Sequence, residues 1–145
     1  MRTSVITLIA FVFAAIGFDA SAQSQSKNSA FIVAVPDTVS LGEITVNDIS
    51  DNLGRISFDI KNDGVKPLIV NDVQGCCGTN VTEWPKAPIL PGKTGTVKVF
   101  FRVEPRPQAI SRTVTIRSNA SNNPALKVHI VGVVFENARP GEIKL

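Results

Sequence analysis

The sequence has no tyrosine and only one tryptophan, one histidine and one methionine among 145 residues, and its two cysteines are neighbours. Each scarcity removes a class of function. From the single His129 and the adjacent Cys76 and Cys77, neither a serine triad nor a zinc site of several histidines can be assembled without carboxylates, and the spacing supplies none. With a lone Trp84 and a net charge of +3 scattered along the chain, there is neither a stacking platform nor a basic patch for nucleic acid. The longest apolar run, Val5 to Phe18, falls short of the roughly 20 residues that span a bilayer as a helix. A non-enzymatic chain is expected, with no cofactor and with no membrane span once mature.

The same apolar run has a positive use. Arg2 precedes it and Ala20-Ser21-Ala22 follows, which is the order of a secretory signal peptide with its small-residue cleavage site. Residues 1–22 are therefore set apart as a signal peptide, cut before Gln23, and the mature chain is expected to be periplasmic or secreted. Residues 23–29 are Gln, Ser, Lys and Asn, a flexible leader without an apolar anchor. A single domain is expected over residues 30–136, with a loose tail over 137–145, a length that suits one compact core.

Within the domain the hydrophobic period is two. Ile56, Phe58 and Ile60 alternate with Ser57, Asp59 and Lys61, and Val97, Val99, Phe101 and Val103 alternate with Lys98, Phe100 and Arg102. Val114 and Ile116, then Val128 and Ile130, continue the pattern. Phe58, Val99, Phe101, Val114, Ile116, Val128 and Ile130 are expected to face inward, and Phe100 outward. Short runs at residues 31–35, 39–46 and 67–73 complete the strands, and Leu126 to Phe135, apolar on both faces, suits a central strand. The Gly, Pro and Asn turns between them, among them Asn62-Asp63-Gly64 as a hairpin linking the Phe58 strand to Pro67–Val73, point to an all-β fold. We expect an antiparallel immunoglobulin-like sandwich of seven to eight strands.

The one unusual chemistry is Gly75-Cys76-Cys77-Gly78 at a strand end, followed by Trp84 before Pro85. Neighbouring Cα atoms lie about 3.8 Å apart across a trans peptide, below the roughly 4.4 to 6.8 Å of ordinary disulfides, so a Cys76-Cys77 bridge would be strained and easily reduced. Three uses stay open for the pair: one thiol buried as a small hydrophobe with the other idle, a redox or intermolecular disulfide, or capture of a soft metal. Trp84 reads as a core plug beside the cysteines, and with Gly75 and Gly78 it marks a candidate binding region.

An ordered set of segments carries a resemblance: Leu41-Gly42-Glu43-Ile44, Asn62-Asp63-Gly64, Pro67-Leu68-Ile69-Val70, Val81-Thr82-Glu83-Trp84-Pro85, Ile89-Leu90-Pro91-Gly92 and Ser118-Asn119-Ala120. Together they resemble the bacterial domain of unknown function 1573 family, a PapD-like or major-sperm-protein-like immunoglobulin module of exported proteins. That family usually carries Ser-Cys-Gly-Cys-Thr where this chain has Cys76-Cys77-Gly78-Thr79-Asn80. Cys77 and Gly78 match, and Thr79 replaces the second cysteine. The resemblance implies the fold and an exported address. The leading expectation is a module that binds another protein or an envelope component through a sheet edge or loops, and the rival is a thiol protein centred on Cys76 and Cys77.

Overall fold

The computed structural model describes residues 28–136; the expected signal peptide, most of the leader and the tail lie outside them. Eight strands form: β1 (Ile32–Val35), β2 (Thr38–Thr45), β3 (Arg55–Asn62), β4 (Val70–Gly75), β5 (Asn80–Glu83), β6 (Thr94–Phe100), β7 (Gln108–Ser118) and β8 (Ala125–Phe135). They make two four-stranded sheets, ordered β1-β3-β6-β5 and β2-β8-β7-β4. Alternating side chains from both sheets meet between them. All seven expected core positions are buried there, with Val114, Ile116, Val128 and Ile130 entirely so and Phe101 at 1% exposure. Phe100, of opposite parity, is half-buried on the outside under the Arg55 guanidinium, 5.3 Å from its ring centre. The immunoglobulin-like sandwich expected from the alternation is the fold observed.

Two details differ from expectation. The pairing of β2 with β8 is parallel, although every other strand pair is antiparallel. The chain leaves the first sheet at Pro36, which has no N–H to continue a ladder, and Thr38 onward joins the second sheet without reversing direction. The second correction concerns Asn62-Asp63-Gly64, which does not close a hairpin: β3 pairs with β1 and β6, whereas β4 lies in the other sheet beside β7. Gly64 is not at positive φ. It is needed because a Cβ there would stand 2.1 Å from the Ser29 carbonyl oxygen. Leu68, expected inside a strand, makes an isolated bridge with Ile89, and β4 proper starts at Val70.

What the turn does instead is fasten loops. The Asn62 side chain is wholly buried; its amide donates to the Lys66 and Ile89 carbonyls at 2.8 and 2.9 Å, and its oxygen accepts from Gly64 N at 3.0 Å and Phe31 N at 3.4 Å. Leu68 and Ile89 exchange backbone bonds of 2.9 and 2.8 Å next to it. Two further asparagines act on strand edges. The Asn122 side chain occupies both backbone groups of Ile32 in β1, at 2.9 and 2.8 Å, and Asn119 meets Ile69 just before β4 with its side-chain oxygen accepting from Ile69 N at 2.8 Å and its backbone N–H donating to the Ile69 carbonyl at 3.1 Å. A strand edge is a template for another chain, and a side-chain amide seated on it fills the template.

Candidate thiol site at the crossover from β4 to β5

β4 pairs with β7 until Gly75 faces Val114. One residue on, Cys76 donates its N–H to the Thr113 carbonyl at 2.9 Å. In an antiparallel ladder the return bond would run from Thr113 N–H to the Cys76 carbonyl. Thr113 N–H donates instead to Cys76 Sγ, at 3.1 Å, while the Cys76 carbonyl accepts from Thr79 N–H at 2.9 Å. The sulfur thus takes the place of a carbonyl as the last acceptor of the ladder.

The bond to Thr79 closes a two-residue turn in which Cys77 has φ 54° and Gly78 has φ 77°, positive at both central positions as in a primed turn. Cys77 is the only non-glycine residue at positive φ among those described, a conformation that costs an L-residue roughly 1–2 kcal/mol. Space explains Gly75: a Cβ there would lie 2.3 Å from the Thr79 carbonyl oxygen and 2.8 Å from the Thr79 Cβ. Thr79 is folded back over that gap and is 6% exposed. Cys76 is half-buried, Cys77 is exposed, and both are free thiols.

Continuing the β4–β7 register by two residues brings Arg112 opposite Cys77. Arg112 has the parity of Ile110, Val114 and Ile116, all buried, so it faces the interior at the end of the sandwich, half-buried, with its guanidinium carbon 5.6 Å from the centre of the Phe101 ring. Its charge lowers both thiols. Sequence reasoning passed over this residue, although a single arginine in a run of inward-facing apolar positions was the signal that could have found it.

The pair shares its protons unequally. The Cys76 thiol is held below its ordinary range, chiefly because the Cys77 S–H donates to it, with Thr113 N–H and the Arg112 charge adding to the effect and burial opposing it. Cys77 is pushed up for the complementary reason, the hydrogen bond and then the charge of its neighbour, and Arg112 only partly offsets this. The pair therefore loses its first proton from Cys76, with Cys77 kept as the protonated thiol at its side.

Two buried side-chain atoms among the described residues lack a hydrogen-bond partner, Thr79 Oγ1 and Arg112 Nε. Both belong to this site. Such a group costs about 1–3 kcal/mol when left unpaired.

Gly75, Cys76, Cys77 and Gly78 are therefore brought together, and Trp84 is not. It follows β5 at the end away from the turn, roughly 13 Å along a strand of this rise, where it packs against the core with Lys86 Nζ 3.1 Å from its ring centre. His129 is exposed on the outer face of β8, its Nδ1 3.3 Å from Thr113 Oγ1. Among the described residues no cluster of three or more His, Cys, Asp or Glu is placed to hold a metal ion.

Comparison with known proteins fits this architecture. A protein of unknown function from Porphyromonas gingivalis W83 is 15% identical with a TM-score of 0.56, covering 74% of this chain and 48% of its own. The PapD-like domain 7 of human CEP192 is 9% identical with a TM-score of 0.51, covering 95% and 100%. The Escherichia coli chaperone DraB is 12% identical with a TM-score of 0.50, covering 77% and 58%. The chain thus spans about half the length of the Porphyromonas protein that it matches. These identities speak for the fold alone, and no curated protein matches the chain in sequence. The family described as protein of unknown function DUF1573 matches residues 36–134, most of both sheets and the whole thiol turn, and the chain belongs to that family.

Proposed function

We propose that the chain is an exported, non-catalytic binding module that recognises an apolar segment of another protein at the loop end held by Asn62. One observation carries this reading: Val65, Ile69 and Leu90 are 59%, 45% and 56% exposed on loops that the Asn62 side chain and the Leu68–Ile89 bridge fasten to one another. Large apolar side chains on backbone already fixed lose little freedom on binding, which is the condition under which apolar contact yields affinity. Export is supported by Arg2, the Val5–Phe18 run and Ala20-Ser21-Ala22. A chaperone, DraB, shares the fold; the proposal puts the present chain to a comparable use but rests on the loop end.

The test is crosslinked capture from the native envelope with Val65→Asp/Leu90→Asp beside Val33→Asp, a control on the outer face of β1 where Val33 is 36% exposed. A partner held by the wild type and the control should be lost by the double variant at unchanged melting temperature. The same captured proteins with all three would sink the reading.

A further inference from the structure

Where β3 begins and β6 ends, the first sheet borders a cleft of about 590 Å³, a volume in the range of small-molecule sites. Ile49, Asp51, Arg55, Phe100, Arg102 and Pro105 are among the residues that line it. The strand register brings the two arginines together. Arg55 lies opposite Phe100, and its guanidinium carbon rests 5.3 Å from the centre of that ring. Pairing continues one residue past β6, where Phe101 N–H donates to the Gly54 carbonyl at 3.1 Å, an approach that a Cβ at Gly54 would obstruct against the Phe101 carbonyl. Arg102 is exposed between the buried Phe101 and Val103, so it shares the outward parity of Phe100. It is thereby a diagonal neighbour of Arg55, with about 7–8 Å between the two residues.

Among the described residues neither arginine stands in an ion pair. Glu104, the acid two residues from Arg102, is taken by Arg106 at 2.6 Å. That leaves Asp51 as the one acid lining the cleft, against two guanidinium groups. The surplus is a single positive charge, which a monoanion neutralises and a dianion would overshoot. Guanidinium forks match a carboxylate in shape as well as in charge, and the contact of Arg55 with Phe100 holds one fork near its place before any ligand arrives. Ile49, Phe100 and Pro105 offer apolar surface beside the charges.

We propose that this cleft binds a small amphipathic carboxylate, its head between Arg55 and Arg102 and its apolar body along Phe100, Ile49 and Pro105. The cleft stands at the opposite end of β3 from Asn62, about 23 Å away by strand rise. The inference is therefore independent of the partner segment proposed for the Asn62 loop end, and each can fail without the other.

The test is titration calorimetry of the purified chain with sodium octanoate, beside octyl phosphate, octanol and octylamine, with the melting temperature of every variant checked. Octanoate should saturate a single site, octyl phosphate should bind more weakly, and octanol and octylamine weaker still. Losing one charge-assisted hydrogen bond predicts an octanoate affinity lower by about tenfold or more in Arg55→Gln and in Arg102→Gln, with partial rescue in Arg102→Lys. Because Arg55 also covers the Phe100 ring, Arg102→Gln is the cleaner arm. Asp51→Asn removes a like charge and should tighten octanoate binding, whereas Lys61→Gln, at the far end of β3, should bind as the wild type does. The proposal is overturned if octanoate shows no saturable binding, if octanol matches it, or if octyl phosphate binds more tightly. It is equally overturned if Asp51→Asn weakens binding, or if Lys61→Gln loses as much affinity as a folded Arg102→Gln.

Discussion

The loop end around Asn62 and the turn at Cys76 and Cys77 use the same vocabulary of Asn, Gly and small polar residues, and they finish their hydrogen bonds in opposite ways. At Asn62 each side-chain polar atom is engaged, and the loops it touches cannot separate without stranding buried groups. At the thiol turn a sulfur replaces a carbonyl, a cysteine sits at positive φ, and two buried atoms are unpaired. A domain of this size has stability to spare at one place only if it is well secured at another. The contrast separates a fastening from a site.

The sharpest way to break the contrast is to remove the floor under the site. Phe101→Ala should cost about 3–5 kcal/mol in urea-induced unfolding, because its buried ring lies between both sheets, and Phe100→Ala clearly less, since that ring is half outside. Equal losses would mean that the two faces of β6 had been misassigned. Asn62→Ala comes next: four partners lose their bond and some stay buried, giving a loss of about 3 kcal/mol that calorimetry would register as a lower Tm. A loss below about 1 kcal/mol would show that water replaces the side chain and that the loops are not fastened by it.

Thr79→Val should move stability the other way, a gain of up to about 1 kcal/mol, since an unpaired buried hydroxyl is replaced by a methyl group. A loss would mean that the hydroxyl has a partner in solution. The smallest expected effect is a separation of titrations. Thiol alkylation followed by peptide mapping against pH should show Cys76 reaching half its maximal rate below the pH of a free cysteine, and Cys77 above it, because the first proton leaves the thiol that the second one stabilises. A single common midpoint would dissolve the distinction between the two thiols.

Much of this was legible before the structure. Alternation in residues 55–61 and 97–103 placed Phe58, Val99 and Phe101 in the core, because burial on one face of a pleated strand imposes a period of two. The pairing of β3 was not legible, since Asn62-Asp63-Gly64 suits a hairpin as well as it suits a buried lock, and the choice depends on Ser29 and Ile89, far away in sequence. At the site, adjacent thiols were visible and their rank was not. Cys76 takes its character from Thr113 and Arg112, which only the β4–β7 register brings near. Trp84 was assigned to the cysteines by proximity in sequence, but an extended strand carries a residue away from its neighbour's neighbour at more than 3 Å per step.

The amide of Asn122 on β1 has a consequence for how many copies of the chain can join. Sheet-like growth from molecule to molecule needs two receptive borders on each copy, one to accept and one to offer. At Ile32 the border is answered from within by a group that presents no further backbone beyond it. A strand offered by another copy would have to displace that amide before it could pair with Ile32, so growth of the β1-β3-β6-β5 sheet across this border is opposed.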